Sequence, residues 1–296
     1  MNGTDHASDW VLNGSIAYKD ASNVANPVLG ISGFTDLAGG TGDDTYNITD
    51  DTTVSLWETA GVNTFRFAAG KQLDGVVSGG VDATDRIDLS NYTSLLSAQL
   101  ASADTTGYSG DFLGSALNPV TGGFYGIDSI SAGSASDTLT GLDVASTWDL
   151  GVTATYTDNS LHVLAFSSFE SLYGLDHADT FNVTAANTAS LHGGGGADAF
   201  NVGAALTGTI AGDAGDDAIA IGAGGSVSGA VSGGTGTDTL GYAGHSAVAV
   251  VLTGAGDDGY GGTDGSVTGG FDSIDALAGS GNADSLTGMN VASTWA

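Results

Sequence analysis

Two stretches of this chain carry nearly the same residues 147 positions apart. Leu142-Asp-Val-Ala-Ser-Thr-Trp148 returns as Met289-Asn-Val-Ala-Ser-Thr-Trp295, and Gly122-Gly-Phe124 returns with the same offset as Gly269-Gly-Phe271. The N-terminal Gly3 to Trp10 aligns with Gly141 to Trp148. Self-similarity of this kind marks a stack of supersecondary units, each burying its apolar face against its neighbours. The expected organisation is two repeat units, 1–147 and 148–296, cut from a longer array. Stretches near 91–127 and 241–270 break the pattern and read as insertion loops.

A shorter motif recurs inside each unit. Gly39-Gly-Thr-Gly-Asp-Asp-Thr-Tyr-Asn47, Gly193-Gly-Gly-Gly-Ala-Asp-Ala-Phe-Asn201 and Gly233-Gly-Thr-Gly-Thr-Asp-Thr-Leu240 are its fullest copies. Ala211 to Ile219, Asp176 to Phe181, Ser134 to Leu139 and Gly281 to Leu286 are looser ones. All place small residues, then Asp, then an apolar residue two positions on. Asp179, Asp198, Asp217 and Asp238 follow one another at 19, 19 and 21 residues, with Phe181, Phe200, Ile219 and Leu240 behind them. Coils of about 20 residues would stack those side chains in one inward ladder, each strand alternating in and out with period two. The predicted fold is all-β: a right-handed parallel β-helix or β-roll-like solenoid. Leu95 to Ala101 is the one segment that reads as a short helix.

Composition narrows the function. Four basic residues, Lys19, Arg66, Lys71 and Arg86, stand against 34 acidic ones, for a net charge of −30. That excludes a nucleic-acid surface and argues against docking on an anionic bilayer. No apolar run reaches transmembrane length, and Met1 to Trp10 lacks the basic and apolar regions of a signal peptide. Only Glu58 and Glu170 are Glu; every other acidic residue is Asp, whose short arm closes turns and ligates hard cations. A self-repelling charge of this size calls for a neutralising cation. There is no cysteine, hence no disulfide or thiol chemistry.

In the nonapeptide, glycines permit left-handed turns that leave carbonyls exposed, and Asp adds a carboxylate. Oxygens from two stacked loops can then surround a Ca²⁺. Residues 39–47, 193–201 and 233–240 resemble haemolysin-type (RTX) calcium-binding repeats. The frame from Trp148 to Phe181, with Phe166-Ser-Ser-Phe-Glu-Ser-Leu172, is similar to repeats of giant bacterial adhesins and filamentous-haemagglutinin-like proteins. The resemblance implies a secreted protein of the bacterial cell surface or biofilm matrix, with Ca²⁺ as cofactor. The ligand set it implies is Gly193, Gly194, Gly196, Asp198, Asp213, Asp216, Asp217, Gly233, Gly234, Gly236 and Asp238. Asp179 and the loop Gly39, Gly40, Gly42, Asp43 and Asp44 extend it. The copies here are single rather than tandem, so at most one edge would carry a calcium ladder. The competing reading makes these aspartates turn caps, and for Asp137 and Asp284 it is preferred.

His6, His162, His177, His192 and His245 show no zinc-ligand spacing and read as solvated loop residues. Trp10, Trp148 and Trp295 occupy one repeat position and read as packing residues. Acidic polysaccharides would be repelled by a chain so poor in cations, and pairs among so many aspartates are inevitable, so no enzyme is expected. The expected role is structural, with self-association end to end or within a longer array. The alternative is an adhesin module that binds glycan or a cell surface through Tyr92, Tyr108, Phe112, Tyr125 and Tyr260.

Overall fold

The computed structural model describes residues 6–21, 28–81, 84–256 and 258–291. Trp295 lies outside them. Among the described residues there is no helix; the chain is all-β, with long mixed sheets in which most neighbours are parallel. It divides into two compact units, Met1–Leu142 with Ser160–Phe169, and Asp143–Asn159 with Glu170–Ala296.

The second unit displays the parallel stacking most plainly. Thr147–Leu150, Thr180–Val183, Ala199–Val202, Ala218–Ile221, Thr239–Gly241 and Ala276–Ala278 pair in parallel, each with the next. Register puts Trp148, Phe181, Phe200, Ile219 and Leu240 opposite one another, and all are buried. Phe181 stacks on Trp148 at 5.6 Å and on Phe200 at 5.0 Å between ring centroids. The alternate side chains face outward: Asn201 Nδ2 donates to Asn182 Oδ1 at 2.9 Å, and Asn182 Nδ2 donates to Asp149 Oδ1 at 2.7 Å. A second sheet stacks Leu172, Leu191, Ile210, Val231 and Phe271 in the same way. A short third face pairs Ala205–Leu206 with Ser226–Val227. Each of the two long sheets thus lines up inward apolar residues from successive strands, and the core is built by that stacking.

The first unit follows the same plan. Ser8–Leu12, Asp44–Ile48, Thr64–Phe67, Arg86–Asp88, Ser129–Ser131 and Val163–Ser167 run in parallel. They align Trp10, Tyr46, Phe65, Ile87, Ile130 and Phe166. Both tryptophans open a hairpin: Trp10 meets Tyr18 edge-on at 4.7 Å, and Trp148 meets Tyr156 edge-on at 4.6 Å.

Leu95 to Ala101 is not helical. Ser97–Asp104 is a strand, antiparallel to Gly107–Asp111 and parallel to Thr138–Thr140. Leu96, Ala98 and Leu100 are buried while Leu95 is exposed, a period of two rather than 3.6. The stretches expected as insertion loops hold hairpins built into the second sheets. Ala249–Gly256 with Gly259–Thr263 is the counterpart in the second unit, and both hairpins carry a register shift in the first strand, between Leu100 and Ser102 and between Leu252 and Gly254.

Candidate functional site

At the corner between the two sheets of each unit, the Asp of the motif turns inward. Asp44, Asp179, Asp198, Asp217 and Asp238 are each at most 2% exposed. One carboxylate oxygen joins adjacent coils. The Asp179 N–H donates to Asp198 Oδ1 at 2.7 Å, the Asp198 N–H to Asp217 Oδ1 at 2.8 Å, and the Asp217 N–H to Asp238 Oδ1 at 2.9 Å. The Asp238 N–H continues the ladder to Asp275 Oδ2 at 3.0 Å, and the Ser146 N–H starts it on Asp179 Oδ1 at 2.7 Å. In the first unit, the Ser8 N–H and hydroxyl donate to Asp44 Oδ1. This half of the arrangement is a turn cap that reaches from one parallel strand to the next.

The other oxygen is different. Oδ2 of Asp44, Asp179, Asp198, Asp217 and Asp238 is buried without a hydrogen-bond partner. Each lies over a glycine five residues earlier. A methyl group on Gly193 would sit 2.1 Å from Asp198 Oδ2 and 2.8 Å from the Gly212 carbonyl oxygen. On Gly212 it would sit 2.2 Å from Asp217 Oδ2 and 2.3 Å from the Gly233 carbonyl oxygen. Gly39 and Gly233 leave the same space for Asp44 and Asp238. A carboxylate oxygen and a carbonyl oxygen of the next coil therefore converge where the glycine has no side chain.

Asn63 occupies the ladder position in one coil of the first unit. Its Oδ1 accepts from the Asp44 N–H at 3.0 Å, as an Asp would, and its own N–H donates to Asp85 Oδ1 at 2.8 Å. Its Nδ2, standing where the others have Oδ2, donates to the Gly61 and Gly79 carbonyls, both at 3.0 Å. The site thus suits a donor. An ionised Asp presents an acceptor to acceptors, and only a proton or a cation relieves that. Burial accordingly raises these carboxyls: Asp198 to about 7, and Asp179 and Asp217 to about 6. Asp44 and Asp238 are also raised, chiefly by burial.

The remaining expected ligands fall into other places. Asp43 and Asp216 are not buried; Asp43 Oδ1 accepts from the Val62 N–H and Asp216 Oδ1 from the Thr237 N–H, each at 2.8 Å. Asp213 is exposed, with φ at +72°, and lies 3.6 Å from His192 Nδ1. Gly40, Gly194, Gly196, Gly234 and Gly236 have positive φ and shape the turn, whereas Gly42 is closed in by the backbone of His6 and Ala7. Among the described residues no three His, Asp or Glu side chains gather as a metal-holding group. A cation here would therefore draw on backbone carbonyls, which Ca²⁺ accepts readily.

Glu58 is a member of the site that the motif does not point to. It is 6% exposed, and its Oε1 accepts from Tyr46 Oη and from the Gly39 N–H. Oε2 has no hydrogen-bond partner, and burial, with the charges of Asp44 and Asp85 beside it, pushes its pKa up to about 8. The signal in the sequence was its rarity, one of two Glu among 34 acidic residues. His192 is not a loop residue: it lies in the strand Ser190–Gly195, stacked on Tyr173 at 4.2 Å. His177 is exposed beside Asp143. Tyr92, Tyr108 and Phe112 are core residues, while Tyr125 and Tyr260 are about half exposed.

No protein-family model matches the chain, and no curated protein matches it in sequence.

Proposed function

We propose that the chain is a calcium-stabilised, right-handed β-solenoid segment of a secreted bacterial surface or biofilm-matrix protein, with a structural rather than catalytic role. The observation that carries this reading is the contrast between Asn63 and the aspartates. Asn63 gives its second side-chain atom to carbonyls of two loops, whereas Asp179, Asp198, Asp217 and Asp238 turn a buried, unpartnered oxygen to the same kind of place. Ca²⁺ takes such carboxylate and carbonyl oxygens together. The residues that would hold it are Asp179, Asp198, Asp217 and Asp238 with the Gly193, Gly212 and Gly233 carbonyls, and Asp44 with Glu58 in the first unit. Where Ca²⁺ is scarce, the buried carboxylates oppose folding at neutral pH. Where it is plentiful, as outside a cell, binding free energy adds to folding free energy.

The test is far-UV circular dichroism of EGTA-stripped protein at pH 7.5 during a calcium titration. A cooperative gain of β signal and of melting temperature is expected. A metal-free protein already fully β, with an unchanged melting temperature in Ca²⁺, would leave the aspartates as turn caps and remove calcium from the reading.

A further inference from the structure

On the outer face of the first unit's second sheet, one row of side chains is unlike its counterpart in the second unit. Ser55–Trp57, Val77–Ser78 and Phe124–Ile127 are adjacent parallel strands. Leu56, Val77 and Phe124 point inward and are fully buried. Trp57, Ser78 and Tyr125 form the outward row beside them, with Ser78 opposite both aromatics. Trp57 is 43% exposed and Tyr125 48%. Each of these strands has a neighbour on both sides, so the exposure belongs to the face of the sheet and not to an edge. Trp57 is held in place, its Nε1 donating to Asp36 Oδ1 at 3.1 Å.

The second unit shows that the fold needs neither ring. Ile210, Val231 and Phe271 repeat the buried row, and the outward row reads Ala211, Ser232 and Asp272, with Ser232 opposite both. The Ser232 hydroxyl donates to Asp272 there. The molecule also shows what space two rings leave when they stand two strands apart. Rings on successive strands stack face to face: Tyr173 on His192 at 4.2 Å in an outward row, and Phe181 on Trp148 at 5.6 Å and on Phe200 at 5.0 Å in an inward one. Phe181 thus fills the place between two rings two strands apart. Trp57 and Tyr125 have that separation, roughly 10 Å at the backbone, and Ser78 supplies no ring. On its far side Tyr125 borders a groove of about 300 Å³ lined also by Ser102, Ser109, Asp111 and Thr121.

We propose that the slot over Ser78, between Trp57 and Tyr125, binds one pyranose ring of a neutral glycan, whose chain continues into the adjoining groove. A pyranose presents apolar C–H faces to two aromatic rings and hydroxyls around its edge. Those hydroxyls meet Ser78 at the floor of the slot, and Ser109, Asp111 and Thr121 beyond Tyr125. A flat aromatic ligand would instead cover the Ser78 hydroxyl without pairing it. The net charge of −30 turns away acidic sugars and nucleotides. The site needs only the sheet that carries it and stands apart from the calcium reading.

Ser78→Phe tests the slot without a ligand. The protein's own ring should fill it, hold the melting temperature level or raise it, and abolish glycan binding. Ser232→Phe, placed between Ala211 and Asp272 and losing the hydrogen bond to Asp272, should lower the melting temperature. Binding is read by titrating protein with a verified β spectrum against neutral oligosaccharides of glucose, mannose, galactose, xylose and N-acetylglucosamine, with polygalacturonate and N-acetyltyrosinamide as comparisons. At least one neutral oligosaccharide should bind, and Trp57→Ala and Tyr125→Ala should each weaken it about ten-fold or more without changing the β spectrum. Failure of every neutral oligosaccharide, equal binding by the two alanine variants, or binding of polygalacturonate or N-acetyltyrosinamide alone overturns the sugar site. A Ser78→Phe protein destabilised as much as Ser232→Phe overturns the slot itself.

Discussion

The backbone N–H of Asp198 donates to Oδ1 of Asp217, 2.8 Å away in the next coil, while Oδ2 of the same Asp217 is buried with no partner. The two oxygens of one carboxylate thus do opposite things to stability. Asp217→Asn keeps the acceptor and replaces the unpartnered oxygen with a donor, the solution Asn63 already uses. It should raise the melting temperature of the metal-free protein at pH 7.5 and reduce its response to Ca²⁺. Asp217→Ala removes both and strands the Asp198 N–H, costing about 1–3 kcal/mol. Thermal melts with and without Ca²⁺ separate the two variants. An Asn variant that melts like the Ala variant would contradict this account.

Acid should stabilise the metal-free protein. Burial holds Asp198 at about 7 and Asp179 and Asp217 at about 6, against an ordinary value of 3.8. The folded chain therefore binds more protons than the unfolded one between those values. The stability these groups contribute is complete below about pH 3.8 and is lost as pH rises through 6 to 7. The melting temperature in EGTA should fall from pH 5 to pH 8. Ca²⁺, which competes with the proton for the same oxygen, should flatten that slope and bind more weakly at pH 5.

Glycine is required at Gly193 and Gly212 for space rather than for backbone conformation. A methyl group there would stand 2.1 and 2.2 Å from a buried carboxylate oxygen. Gly193→Ala and Gly212→Ala should each cost about 1–3 kcal/mol by overpacking. Gly254→Ala, with nothing within 4 Å of the new methyl, should be nearly neutral. Urea denaturation at fixed Ca²⁺ gives the comparison.

The ladder of Phe181, Phe200, Ile219 and Leu240 was legible because stacking forces inward residues to recur at the coil length, and that length is nearly constant there. The hairpins were not, because Leu, Ala and Gln in Ser97–Asp104 are good helix formers whose strand state is imposed by Gly107–Asp111 and Thr138–Thr140 on either side. Within the site, period-two alternation sends neighbouring aspartates to opposite sides: Asp217 is buried and Asp216 is not. A search for carboxylates near glycines counts them alike. Asn63 and Glu58 escaped because the ladder is defined by the space beside a corner, which several residue types can fill.

Glu58 offers a local test of the first unit. With its pKa at about 8, it holds a proton at pH 6–7, when Glu58→Gln is nearly isosteric with it. The variant should match the unmodified protein in melting temperature in that range. As pH rises through 8, the unmodified metal-free protein must ionise a carboxyl beside Asp44 in a buried site, and the raised folded-state value means that stability is lost there. Glu58→Gln removes that step, so its melting temperature at pH 9 should exceed that of the unmodified protein. In Ca²⁺ the order should reverse, because the amide contributes no charge to the cation that Asp44 and Glu58 would share. Equal melting curves for the two proteins at pH 9, with and without Ca²⁺, would show that Glu58 is an ordinary partner of Tyr46 and plays no part in the ion site.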